Sequence, residues 1–189
     1  RVFSETVEAE IDLLHGRLRQ AGARLRHASS LNAANASFST NGNVKACVSL
    51  AETLYEADDC EGAERLLNIY TPLTRDVKLP DQLIIAHIVQ SRIAYLKGEP
   101  ARSFELLGEL EHIGDYWQLP RVADSARLER ARIALMEGNV SVCSEELETV
   151  DPQFWARAER YGSVANDVEN LSLCHLRLQL HLGHCTAAI

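Results

Sequence analysis

The sequence predicts an all-α fold, a right-handed α-α superhelix of helix pairs that repeat about every 40 residues. Three observations indicate this class. A short phrase that ends a helix recurs along the chain, a small residue follows it at a fixed distance, and a Leu-Pro pair recurs with the same period. A single helix pair cannot bury its apolar face alone, so a repeat of this kind predicts stacked neighbours around one core.

The recurring phrase is an apolar helix end followed by a turn residue. It reads RIAYLKG at 92–98, RIALMEG at 132–138 and RLQLHLG at 177–183, with weaker copies ending at Gly16 and Asp58. The turn residues are therefore 42, 40, 40 and 45 positions apart. Glycine adopts a left-handed helix cap without steric cost, and aspartate does so at a modest cost. Each phrase thus predicts the end of a first helix.

Small residues flank each turn where two helices should cross. One small residue lies seven positions before each turn, except in the last copy, where Leu176 takes its place. A second lies five positions after each turn, and in the first four copies a leucine follows it one helical turn later. Such spacing is typical of a buried helix stripe. The small residues are Ala9, Ala51, Ser91 and Ala131 before the turns and Ala21, Ala63, Ser103, Cys143 and Ala188 after them; the leucines are Leu25, Leu67, Leu107 and Leu147.

Leu79-Pro80 and Leu119-Pro120 indicate where first helices begin, because proline at the first helical position loses no hydrogen bond. We predict first helices near 4–15, 43–57, 81–97, 121–137 and 163–182, and second helices near 17–29, 60–74, 100–113 and 140–149. The segments 29–43 and 151–162 are predicted as loops or short extra turns. The chain is expected to form one helical-repeat domain, 1–189, with repeats 1–42, 43–80, 81–120, 121–162 and 163–189.

The last repeat has almost no second helix, and the chain starts at Arg1 without a methionine. We therefore expect a fragment of a larger protein, whose unfinished repeat favours self-association.

Composition excludes several classes of function. A net charge of −8 argues against direct DNA binding, which needs clustered cations. The five cysteines are odd in number and form no Cys-x-x-Cys pair, which favours reduced thiols and a cytoplasmic protein. No apolar run is long enough to span a membrane. The sequence holds no HExxH, GxSxG or phosphate-loop motif, so we expect no enzyme and no cofactor in this segment.

The small residues at the crossings and the glycine at the turn resemble tetratricopeptide (TPR) repeats, although the period is longer than usual. More specifically, the stretch from Ala51 to Gly138, with LYE at 54–56, LPD at 79–81, SRIA at 91–94 and LERAR at 128–132, looks like the central repeat domain of large LuxR-family transcriptional regulators of the MalT type. The resemblance implies an ATP-binding domain before the repeats and a DNA-binding domain after them. This chain contains neither the phosphate-loop motif of the first nor the helix-turn-helix of the second.

The position six residues before each turn predicts a ligand site on the inner surface, which first helices line. Arg92, Arg132 and Arg177 occupy it in three successive copies, after Glu10 and Glu52. Arginines in register could hold carboxylate or phosphate groups. The alternative is that each arginine pairs with a local acid such as Glu129 or Glu137, or with a glutamate of a neighbouring second helix.

Aromatic residues suggest two further surfaces. Tyr55 and Tyr95 lie three residues before their turns, where they form either a platform beside the arginines or part of the core. The aromatic residues of 115–118 and 154–155 fall in predicted loops, where they either mark an interface or fold back onto helix ends.

A metal site is the weaker interpretation of the cysteine and histidine residues near the end of the chain. Cys174 and His175 should point away from His181, so we predict no metal. The candidates are Cys174, His175, His181, His184 and Cys185.

These patterns predict a binding scaffold. The resemblance implies an effector-binding and oligomerisation domain of a transcriptional regulator, which would contact DNA only through another domain. The alternative is a TPR-type adaptor that binds a protein or peptide carboxylate.

Overall fold

The structure is a computed structural model and describes residues 2–33, 41–76, 78–152, 155 and 170–184. All secondary structure in these ranges is helical. The helices are α1 (Val2–Leu14), α2 (Leu18–Ala33), α3 (Asn41–Glu56), α4 (Cys60–Asp76), α5 (Pro80–Leu96), α6 (Pro100–Tyr116), α7 (Pro120–Met136), α8 (Val140–Glu148) and α9 (Leu171–His181).

The chain divides into two compact units, Arg1–Gly98 and Glu99–Ile189. In the first unit α1 packs on α2 and α3 packs on α4, and the first helices α1, α3 and α5 contact one another in sequence. Ala9, Ala21, Ala51 and Ala63 are fully buried, as the crossing pattern predicts. Small side chains at these positions let the helix backbones approach closely.

The second unit is built around α7, which packs against α6, α8 and α9. Its core includes Ala131, Cys143 and Leu147, together with the indole of Trp155. Gly114 of α6 lies so close to α7 that a Cβ atom built on it would stand 2.4 Å from the backbone nitrogen of Ala123. Only glycine fits this crossing.

The turn residues adopt the conformation that the sequence predicts. The φ angles are 70° at Gly16, 64° at Asp58, 78° at Gly98, 77° at Gly138 and 79° at Gly183. Positive φ also occurs at Lys78 (49°) and Gln118 (54°), one position before each Leu-Pro pair. These two turns are not apparent from the sequence, because neither lysine nor glutamine is typical of a left-handed turn.

Most predicted helix bounds are correct within about three residues. Residues 29–33 and 41–43 are helical, however, so the first predicted loop is shorter than expected. The helix predicted for 163–182 is interrupted at Asn170, whose backbone is extended (φ −143°, ψ 162°). The Asn170 side chain caps the start of α9, because it accepts a hydrogen bond from the Leu173 N–H. Residues 163–169 and Ala188 lie outside the described residues.

No helix in the described part of the chain is both long and apolar enough to cross a membrane.

Candidate functional site

The structure brings Arg132 and Arg177 together on one open groove of about 480 Å³ between α7 and α9. The lining residues stand six, three and two positions before the turn in each of the two first helices. They are Arg132, Leu135 and Met136 of α7 and Arg177, Leu180 and His181 of α9, and they define what is called the α7–α9 groove below.

Arg132 is partly committed to a buried acid. Its Nε and Nη2 atoms donate to Oε1 of Glu129 over 2.9 and 2.6 Å, and Glu129 is fully buried. The Nη1 atom faces the sulfur of Met136 at 3.0 Å, which is only a weak acceptor. The ion pair with Glu129, which was one of the alternatives from the sequence, therefore occurs at Arg132. The guanidinium neutralises Glu129 and still borders the groove.

The rest of the groove is apolar and accessible. The Met136 side chain is 57% exposed and that of Leu180 is 51% exposed, while Arg177 is half-buried beside them. Cationic groups next to exposed aliphatic side chains suit a carboxylate that belongs to an apolar or mixed peptide.

Arg92 lies in the first unit, on α5, where its neighbours are acidic. Its positive charge acts on Glu52 of α3, as do the negative charges of Glu56 on the same helix and Glu10 of α1. The sequence places Arg92 in register with Arg132 and Arg177, and a ligand that contacts all three remains a prediction.

Glu52 carries an unusual carboxyl group. Its Oε2 atom is buried and accepts no hydrogen bond from the described residues, although the residue as a whole is half-buried. Burial raises the pKa of Glu52 to about 7, and the charges of Glu56 and Glu10 add to this effect against the opposing charge of Arg92. The group therefore holds its proton up to near-neutral pH.

The candidate tyrosines, Tyr55 on α3 and Tyr95 on α5, are both half-buried. They take the same register as Leu135 and Leu180 in the α7–α9 groove. This register is compatible with both interpretations from the sequence, a platform and a packing role.

The predicted loop aromatics have different environments. Trp155 is 1% exposed and donates from Nε1 to Oδ2 of Asp124 over 3.1 Å, so it packs onto the helices. Asp115 and Tyr116 belong to the last turn of α6 and not to a loop, because the helix continues to Tyr116; the Tyr116 side chain is 80% exposed. Phe154 lies outside the described residues.

An ion-pair network in the second unit involves arginines that lie outside the predicted row. Arg127 donates to Glu111 (2.8 Å) and to the buried Asp124 (3.1 Å). Arg130 joins Glu111 (2.8 Å) to Glu146 (2.6 Å), which links α6, α7 and α8. Spacing along one helix gives no sign of pairs between helices, so the sequence held no clear signal for this network.

No cluster of metal-binding side chains occurs among the described residues. Cys174 is buried, and its thiol donates to the Leu128 carbonyl over 3.5 Å. His184 pairs with Gln179 at 3.0 Å, and Cys185 lies outside the described residues.

Comparison with known proteins identifies the fold. A crystal structure of a kinesin light chain-like protein of nearly identical TPR-like repeats from Podosopora anserina matches with a TM-score of 0.62 and 16% identity, over 98% of this chain and 88% of that chain. A glutamine-to-methionine variant of that protein matches with a TM-score of 0.63, at the same identity and coverage. The chain thus has a TPR-like all-α repeat fold. No protein-family model matches the sequence, and no curated protein matches it significantly.

Proposed function

We propose that this chain is a TPR-type scaffold that binds an acidic peptide segment of a partner protein in the α7–α9 groove. One observation carries the proposal: two arginines at the same register of successive first helices border a single open groove that also presents exposed aliphatic side chains. The TPR-like fold supports a binding role, because stacked helix pairs present extended surfaces to partners.

The charge of the groove favours an acidic ligand. The whole chain carries a net charge of −8, so most of its surface repels an acidic peptide. Arg177 and the guanidinium of Arg132 make the groove an exception, although the buried Glu129 balances part of the Arg132 charge. A peptide carboxylate placed here would gain charge-assisted hydrogen bonds, while its neighbouring apolar side chain would cover Met136 and Leu180.

Fluorescence anisotropy with a labelled oligo-aspartate peptide that has a free C-terminal carboxylate tests the proposal. Arg177→Ala should weaken binding about tenfold or more, since a charge-assisted hydrogen bond contributes about 1.5–3 kcal/mol. Arg102→Ala is the matched control, because Arg102 is half-exposed on α6 and, among the described residues, its ion pairs are with Glu105 and Glu109 of the same helix. Equal affinities for the two variants would contradict the proposal.

The regulator interpretation is a second proposal, and it rests on the sequence phrases between Ala51 and Gly138 alone. In that case the groove would receive an effector or a partner domain, and ATP and DNA would bind elsewhere in a longer protein. The open reading frame that encodes this segment tests it: a phosphate-loop ATPase before the repeats and a helix-turn-helix after them would support the regulator. Their joint absence would exclude it. A cytoplasmic location is part of both proposals.

A further inference from the structure

The first unit carries acidic residues at register positions that line the α7–α9 groove in the second unit. Glu52, Tyr55 and Glu56 of α3 stand six, three and two positions before their turn, and Arg92, Tyr95 and Leu96 of α5 stand at the same positions before theirs. The helices α3 and α5 pack together, as α7 and α9 do. The register that carries arginines in the second unit thus carries two carboxylates and one arginine at α3 and α5 of the first.

The charges around Glu52 leave an acidic excess. Glu56 on the same helix and Glu10 of α1 act on the Glu52 carboxyl group, and Arg92 of α5 opposes them. Glu10 is already paired with Lys45 over 2.7 Å. Among the charged groups that act on Glu52, the two acids therefore outnumber the one cation, Arg92.

The Oε2 atom of Glu52 is buried and has no hydrogen-bond partner among the described residues. A buried polar atom without a partner costs free energy, so such atoms often mark a site that a ligand completes. The Glu52 residue as a whole is half-buried, so it remains partly accessible to a partner from solvent.

We propose that Glu10, Glu52 and Glu56, called the acidic row here, bind a lysine or arginine side chain of a protein partner, and that Glu52 releases its proton to solvent as that side chain binds. This inference extends the proposed scaffold function to a second site. The basic side chain keeps its own protons and donates one of them in a hydrogen bond to the Glu52 carboxylate, so the only net change is the proton lost by the carboxyl group.

A longer organic cation fits the row better than a metal ion, because the three carboxylates do not converge closely enough to hold one metal ion together. The phenol rings of Tyr55 and Tyr95, at the neighbouring register positions, would add a cation–π contribution that favours ammonium or guanidinium groups.

Proton release predicts binding that depends on pH. Because burial raises the pKa of Glu52 to about 7, the carboxyl group is mostly neutral one pH unit below this value and mostly ionised one unit above it. A cation that requires the ionised form should therefore bind about tenfold more tightly at about pH 8 than at about pH 6.

Anisotropy of a fluorescein-labelled oligo-lysine peptide with the full chain, at constant ionic strength, measures this ratio. Glu52→Gln should bind the peptide weakly and equally at the two pH values. Glu61→Gln is the matched control: it removes the same charge from the same unit, at a side chain that is 89% exposed on α4, and should keep the tenfold ratio. Equal affinities at the two pH values in the unaltered chain would overturn the proposal. A Glu52→Gln variant that keeps the tenfold difference in affinity would also overturn it.

A second measurement needs no variant. The ¹³C signal of the Glu52 carboxyl group should titrate near pH 7 in the free chain and at a lower pH with saturating oligo-lysine, because the bound cation favours the ionised form. An unchanged titration would overturn the proposal. Neither experiment involves the α7–α9 groove, so Arg177→Ala should leave both results unaltered. A negative result with the acidic peptide can therefore be distinguished from a negative result with oligo-lysine.

Discussion

Glu129 and Arg132 show how one residue pair can combine structural and binding roles. The Glu129 side chain is fully buried, and that of Arg132 is 20% exposed, so the pair spans the core and the groove. Taking a carboxylate out of water costs several kcal/mol unless a partner compensates for it. Arg132 is that partner, and its position beside the groove follows from the need to reach Glu129.

Arg132→Ala should therefore lower the free energy of unfolding by about 3–5 kcal/mol, because it removes a cation that is bound to a buried carboxylate. Urea unfolding followed by circular dichroism measures this loss. The control is Arg65→Ala, whose ion pair with Glu61 spans 3.7 Å with side chains that are 71% and 89% exposed. We expect that control to change stability by less than about 0.5 kcal/mol. Similar losses in the two variants would show that Arg132 has no such structural role.

Residue identity alone predicted part of this site. The repeat register placed Arg132 and Arg177 at equivalent positions, and the structure puts both on one groove. The register could not show that Glu129 is buried, because the side chain lies three positions from Arg132 in a stretch rich in charges. The sequence also could not predict the buried Oε2 atom of Glu52, because the burial of one atom depends on helices that are distant in the sequence.

At the scale of the helix, turn chemistry gave the most reliable predictions. Glycine or aspartate at 16, 58, 98, 138 and 183 ends each first helix in a left-handed residue. The turns between pairs were less visible, because Lys78 and Gln118 adopt positive φ without the usual side chain. There the following Leu-Pro pair supplies the signal, since proline excludes a continued helix at the preceding residue.

The crossing of α6 and α7 depends on Gly114. Gly114→Ala should lower the free energy of unfolding by about 1–3 kcal/mol, because the added methyl group meets the Ala123 backbone at 2.4 Å and the helices must separate. The control is Gly108→Ala in the same helix, where a Cβ atom meets nothing within 4 Å. That change should stabilise the chain by about 0.5–1 kcal/mol, as alanine replaces glycine within a helix. If both variants shift stability in the same direction, the close crossing is wrong.

At the scale of the whole molecule, the charge at one register of the first helices changes sign along the chain. Glu10 and Glu52 occupy it in the first two repeats, and arginines occupy it in the following three. Sequence periodicity predicted the all-α repeat fold, which the TPR-like structures support. It could not predict a partner, because the fold accommodates many ligands and only side-chain chemistry distinguishes them.

The central claim is that an acidic peptide occupies the α7–α9 groove, and photo-crosslinking tests it most directly. An oligo-aspartate peptide with one benzoylphenylalanine would be irradiated with the full chain, and the crosslinked residues would be identified by mass spectrometry. The account predicts crosslinks at Met136 and Leu180, the exposed apolar side chains of the groove, and their loss in Arg177→Ala. Crosslinks that fall mainly on α6 or α8, or that persist unchanged in Arg177→Ala, would contradict it.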